Sequence, residues 1–180
     1  MLERSQFVLL TGRPGTGKTT LLKEVVALYP GAVGGFYTEE VREGGTRVGF
    51  DIVTLDRRRA PLARAGRPGG RHRVSRYRVD VEALERVGVR ALRDALDREA
   101  LLVVDEIGRM ELFSQAFRDA IASALEDGKR VLGTILLAAH PWADELKRDP
   151  RVSLLQVTRD NHQEVRERAL DWLREEKTDE

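Results

Sequence analysis

Two groups of residues in this chain have the types and spacing of working chemistry. The first is Gly12-Arg13-Pro14-Gly15-Thr16-Gly17-Lys18-Thr19, which fits the pattern G-x-x-x-x-G-K-[ST]. Its chemistry is the capture of a polyphosphate. Glycine at 12, 15 and 17 lets the backbone curl close to an anion without a Cβ clash. Successive N–H groups then face the start of a helix, where unpaired donors and the dipole favour negative charge. Lys18 is placed to reach the β- and γ-phosphates and to assist the reaction there. The Thr19 hydroxyl is placed to ligate magnesium, and Thr20 closes the set of expected nucleotide contacts. The flanks agree with this reading. Phe7-Val8-Leu9-Leu10 is a short apolar run of strand type, and Leu21, Leu22, Val25, Val26 and Tyr29 repeat at helical spacing after the loop.

The second group is Leu101-Leu102-Val103-Val104-Asp105-Glu106, four apolar residues ending in two acids. Asp105, at the carboxyl end of such a strand, is expected to hold magnesium directly or through water. Glu106, one residue further, is suited to polarise or deprotonate an attacking water. Gly108 and Arg109 follow in the next turn and are counted with the nucleotide contacts. Arg109 reads either as a stabiliser of phosphate charge or as a surface ion-pair partner. Thr134 ends the apolar run after the Asp105 strand. If that run inserts between the two motif strands, Thr134 faces the γ-phosphate or the water; otherwise it is a strand-end threonine bonded to backbone. Glu40 and Arg42 read as a cross-strand charge pair, with an approach to the γ-phosphate from the hairpin as the alternative. His72, His140 and His162 have no metal-ligand spacing, and with no cysteine a zinc site is not expected.

The elements that must position these residues alternate in type. Strands are expected over 32–38, 47–55, 57–63, 101–104, 130–136 and 152–157, with Glu43-Gly44-Gly45 as a hairpin turn. Val48, Phe50, Ile52 and Thr54 fall on one side of the second of these. Asp80 caps a helix running to about Arg98, with Val81, Leu84, Val87, Ala91, Leu92, Ala95 and Leu96 on its buried side. Phe113, Phe117, Ile121 and Leu125 stripe a second helix as core. A short helix over 141–147 and an amphipathic C-terminal helix through Val165, Ala169, Trp172 and Leu173 complete the set. This alternation predicts an α/β fold with a mainly parallel, mixed sheet flanked by helices. Residues 65–75 read as a surface loop. Nine arginines crowd the stretch from 57 to 78 (Arg57, Arg58, Arg59, Arg64, Arg67, Arg71, Arg73, Arg76 and Arg78). They read as a solvated segment, a lid over the triphosphate, or an RNA contact with only Tyr77 to stack.

Composition excludes several classes. At 180 residues the chain is expected to form one domain spanning 1–180. A net charge of +1 gives no global attraction to nucleic acid or membrane. No apolar run approaches the roughly 20 residues of a transmembrane helix, and Met1 to Ser5 lead straight into the first strand without a secretory signal. Zero cysteines remove disulfide and thiolate chemistry and suit a cytoplasmic setting.

Asp105-Glu106-Ile107-Gly108-Arg109-Met110-Glu111-Leu112 resembles the D-E-I-G-[KR]-M-E-L signature of the thermophile-type nucleoside-triphosphatases, whose vertebrate member is called cancer-related nucleoside-triphosphatase. The stretches 34–42, Arg47-Val48-Gly49-Phe50 and 77–81 resemble the same family in the same order, so the likeness runs from about Phe7 to Asn161. Three positions depart from its pattern: Ser75, Leu136 and His162, the last standing where arginine is usual. The resemblance implies a P-loop NTPase with a RecA-like sheet, magnesium dependence, hydrolysis of nucleoside triphosphates and loose base preference. A nucleoside or nucleotide kinase, which shares the loop, is the alternative. A regulatory GTP switch would need an N-K-x-D segment, and Thr158-Arg159-Asp160-Asn161 does not match it. A nucleic-acid-dependent ATPase is the weakest reading.

Overall fold

The computed structural model describes residues 2, 4–66, 70–98 and 100–175. β1 (Phe7–Thr11) is buried along its whole length, so both of its faces must be covered by other elements. α1 (Lys18–Leu28) supplies part of that cover through Leu21, Leu22, Val25 and Val26. β2 (Val33–Glu43) and β3 (Thr46–Thr54) form the expected hairpin. β4 (Arg59–Ala65), β5 (Arg73–Val74) and β6 (Tyr77–Val79) extend it. Then come α2 (Val81–Ala83), a π-helical stretch Leu84–Val89 and α3 (Arg90–Asp97). β7 (Leu101–Ile107) leads through the 3-10 turn Glu111–Phe113 into α4 (Gln115–Glu126). β8 (Val131–Ile135), α5 (Pro141–Arg148), β9 (Val152–Gln156) and α6 (His162–Arg174) complete the order.

One nine-stranded sheet runs β5-β6-β4-β3-β2-β7-β8-β1-β9. Strands β2, β7, β8, β1 and β9 pair in parallel; β3, β4, β6 and β5 are added antiparallel. The mixed, mostly parallel α/β architecture read from the sequence therefore holds. Side chains alternate across the sheet: Phe7 and Leu9 enter one core with Phe36, Leu102 and Phe117, while Val8 and Leu10 enter the other with Leu22, Val103 and Trp172. Each such fully buried side chain contributes roughly 1.5–3 kcal/mol. β8 inserts between β7 and β1, which places the carboxyl ends of the two chemistry-bearing strands on either side of Thr134.

Four local expectations shift. The helix after Asp80 begins as read, with the Asp80 side chain accepting from the Ala83 N–H at 2.9 Å. Its π-helical stretch then adds a residue to the turn, so Gly88 and Val89 are buried where Val87 was expected to be. Phe113 lies in the 3-10 turn before α4, not on that helix. The strand expected at 57–63 runs from Arg59 to Ala65. The arginine-rich segment is solvated at Arg57, Arg59, Arg71, Arg73 and Arg76 but carries ion pairs that its composition does not announce: Arg59 and Arg64 both pair with buried Asp51, and Arg58 bridges Asp56 and Asp94. Arg67 lies outside the described residues. Among the described residues no helix is long and apolar enough to cross a membrane.

Candidate active site

The glycine loop connects β1 to α1 at the carboxyl edge of the sheet. Gly17 is the N-cap of α1 in a left-handed conformation, with no side-chain cap and no acid in the first turn. The first-turn N–H groups of α1 thus keep their donors and the positive end of the dipole for an external anion. A side chain at Gly17 would strike His162, whose ring carbon Cε1 lies 2.6 Å from the position of an added Cβ. His162 Nε2 also meets the Thr16 carbonyl at 2.5 Å. The N-terminus of α6 is therefore fastened to the loop through the position where the sequence departs from its resembled family. Thr16 turns its hydroxyl back onto the Arg13 carbonyl (2.9 Å), and Arg13 is exposed. Lys18 Nζ donates to the carbonyls of Gly12 (2.9 Å) and Arg13 (3.1 Å), so the ammonium already sits over the loop.

Asp105 is the node of the site. It is 2% exposed, and each carboxylate oxygen accepts from a threonine hydroxyl: Thr19 at 2.9 Å and Thr134 at 2.6 Å. Its carbonyl accepts from the Thr38 hydroxyl at 2.7 Å. Thr134 is thus a partner of the carboxylate, not merely a strand-end residue bonded to backbone. Burial raises the Asp105 pKa, and the Thr134 and Thr19 hydrogen bonds pull it back. All of these donor atoms are oxygens, which suits a hard divalent cation. Among the described residues no group of three or more His, Cys, Asp or Glu could hold a metal alone.

Glu106 is half-buried between this node and Lys18. Burial raises its pKa, Asp105 raises it further, and Lys18 opposes both. Among the described residues no side chain or backbone group is hydrogen-bonded to it, and the carboxylate lines both cavities in front of the loop. Glu111, five residues on, is a site residue that the sequence reading named only as part of a motif. It is 4% exposed and its pKa is raised well above the usual range, first by burial and then by Glu106; backbone N–H groups of Glu111 and Gly108 counter this in part. No spacing rule flags a lone glutamate after a turn, and only the folded turn brings it behind Gly108.

A carboxyl group whose folded-state pKa lies above its unfolded value holds its proton longer in the folded protein. Its contribution to stability is complete below the unfolded pKa and is lost as pH rises through the folded one. Glu111→Gln is therefore expected to be increasingly stabilising, relative to the parent, as pH rises from the ordinary glutamate range upward. Urea unfolding of both proteins across that range checks it. A stability difference independent of pH would show that Glu111 does not titrate between the two states.

Two cavities meet at this point. One, about 620 Å³, is lined by Pro14, Gly15, Gly17, Lys18, Thr19, Thr20, Asp105, Glu106 and Thr134, together with Thr38 and Lys23. The other, about 520 Å³, shares Pro14, Lys18, Thr38, Phe50 and Glu106 and adds Gly12, Gly108 and exposed Arg109 among others. The structure thus brings both sequence motifs to one place; Arg13 and Thr16 shape the loop without lining either space. Thr38 and Tyr37 also went unread. Tyr37, pushed up to about 12 by burial and by Asp105, stays neutral beside the node. Glu40 pairs with Arg42 and Arg47, as a charge pair on the hairpin.

The model of the family described as NTPase matches residues 7–170. The nucleoside-triphosphatase THEP1 of Thermotoga petrophila is 42% identical over 163 residues, which is 91% of this chain and 90% of that protein. The human cancer-related nucleoside-triphosphatase is 43% identical over 172 residues, 87% of this chain and 90% of that one. The crystal structure of THEP1 from Aquifex aeolicus superposes with a TM-score of 0.84 at 33% identity, covering 93% of this chain and 99% of that one. By sequence over nearly its full length, and by fold, this chain belongs to the nucleoside-triphosphatase family.

Proposed function

We propose that the protein hydrolyses nucleoside 5'-triphosphates to diphosphate and phosphate with magnesium and with low base selectivity. The observation that carries this reading is the convergence of Thr19 and Thr134 on the two oxygens of Asp105, with the unbonded Glu106 carboxylate beside Lys18. Thr19 and Asp105 would hold the ion, which when bound neutralises charge on the β- and γ-oxygens. The first-turn N–H groups of α1 and the loop would cradle the phosphates, and Lys18 would swing from its loop carbonyls to the γ-phosphate. Glu106 would orient the attacking water and take its proton. A cytoplasmic setting accords with a chain lacking cysteine.

The test is phosphate release from ATP, GTP, CTP and UTP, with magnesium and with EDTA. Turnover is expected on all four with magnesium and on none with EDTA. Selectivity among the four is expected to stay below about a thousandfold, or about 4 kcal/mol, because phosphate and metal contacts are common to all. A steeper preference would require buried hydrogen bonds to a base edge and would overturn the low-selectivity part of the reading.

A further inference from the structure

The cavity of about 520 Å³ is larger than a hydrolytic water requires and is of the size that holds a small organic ligand. It lies on the β3–β4–β5 side of Glu106. Its walls are Phe50, Leu62, Val74, Met110, Leu136 and Leu137, and Leu137 is 51% exposed at its rim. The nucleoside end of a bound triphosphate would leave the opposite way. The α- and β-phosphates belong at the start of α1, where Gly17 faces His162 and where Gly17, Thr19 and Thr20 line the other cavity and not this one. The triphosphate's own base is thus not the natural occupant.

Charge defines the occupant further. Two acids line this cavity, Glu106 and buried Glu111. Of its two cations, Lys18 is assigned to the triphosphate and Arg109 is exposed. None of the described arginines of the 57–78 segment lines it. Arg58, Arg59 and Arg64 are paired with Asp56, Asp94, Glu39 and Asp51, and Arg76 bonds Tyr77 and the Arg47 carbonyl. A phosphate-bearing acceptor would meet the Glu106 carboxylate with Lys18 already assigned to the triphosphate and only exposed Arg109 as counter-charge, which is costly in a site of this kind. An uncharged molecule with an apolar body and one hydroxyl suits both the walls and the acids.

We propose that this cavity is a second substrate site, for a small neutral alcohol that takes the place of water. The proposal rests on the triphosphatase reading of the loop and Glu106. The alcohol oxygen bonds to the γ-phosphorus, and the bond from that phosphorus to the β–γ bridging oxygen breaks. Its electron pair leaves on the nucleoside diphosphate, the hydroxyl proton passes to Glu106, and the product is a phosphate monoester.

The test uses full-length protein with specifically labelled methyl groups and a panel of neutral arylalkyl and heteroarylalkyl primary alcohols, with 2-phenylethanol as the reference member. Methyl NMR with magnesium and a non-hydrolysable ATP analogue reads binding. γ-Labelled ATP reads ester and free phosphate separately. Panel members are expected to shift the Met110, Leu62 and Leu136 signals and to yield labelled ester. Val74→Trp and Leu137→Trp, which fill the cavity from two sides, should each cut ester formation by about tenfold or more, equivalent to about 1.4 kcal/mol of lost acceptor binding. The Leu22 and Val25 signals, on the far face of the sheet, report that each variant is folded. Phosphate release without ester, and with no panel member shifting the cavity methyls, overturns the acceptor site and leaves the triphosphatase reading standing. Ester formation undiminished in both folded tryptophan variants overturns the placement of the site. No phosphate released in the absence of alcohol points instead to failure of the hydrolytic reading.

Discussion

Glu106→Gln is expected to lower steady-state hydrolysis by about 10²–10⁴-fold, the usual range for loss of a positioned general base, while nucleotide binding survives. The side chain faces the space before Lys18 without a protein hydrogen bond, so its acceptor oxygens are available to a water aligned behind the γ-phosphate. The amide keeps the shape of the side chain and loses the capacity to take the proton. Asp105→Asn should behave differently. Both Asp105 oxygens accept hydroxyl hydrogen bonds, and an amide offers only one acceptor atom, so Thr19 or Thr134 must reorient. Magnesium-dependent binding should weaken together with turnover. Affinity for a non-hydrolysable triphosphate and kcat, measured on both variants, separate the two roles. A Glu106→Gln protein within about threefold of the parent rate, a difference below 1 kcal/mol, would remove Glu106 from the reaction, with Arg109 the next residue to test.

The centre of the parallel half was legible in the sequence because β1 and β7 are buried on both faces and begin as apolar runs. Phe7-Val8-Leu9-Leu10 and Leu101-Leu102-Val103-Val104 each end in a motif, so locating the strand also located the chemistry. The antiparallel half was harder. Arg59–Ala65 reads Arg-Ala-Pro-Leu-Ala-Arg-Ala, with a proline inside the run, and it is held in the sheet by pairing with β3 and β6 and by the Asp51 carboxylate that meets Arg59 and Arg64. That is a tertiary interaction, invisible to local patterning. The face of the helix after Asp80 was misplaced at Val87 for a related reason. Gly88 packs against the Phe36 ring, and the π-helical turn that allows this shifts the stripe by one residue. At the site itself, motif spacing supplied Lys18, Thr19, Asp105 and Glu106. Thr38 and Glu111 are brought in by strand pairing and a turn, and no spacing rule covers them.

Lys18→Ala is expected to lower kcat/KM by about 10²–10³-fold, the effect of removing one preorganised donor from a developing charge, with little loss of stability. The structural argument has two parts. Lys18 Nζ is held by the carbonyls of buried Gly12 and exposed Arg13; on truncation water reaches the Arg13 carbonyl from solvent and the Gly12 carbonyl from the cavity that Gly12 lines, at a cost of about 1 kcal/mol or less. In the bound state no other lysine can replace it. Lys23, the next cation lining the cavity, is already paired with Glu39 at 3.1 Å, and Arg109 lies in the turn beyond β7. Lys18→Arg is the sharper control. It keeps the charge, but a planar guanidinium cannot occupy the compact position between two loop carbonyls and a γ-phosphate, so it should recover only a small part of the lost rate. Equal rates for Lys18→Arg and parent would reduce the role of Lys18 to unspecific charge. Parental turnover in a well-folded Lys18→Ala protein would contradict the assignment of the loop to phosphate altogether.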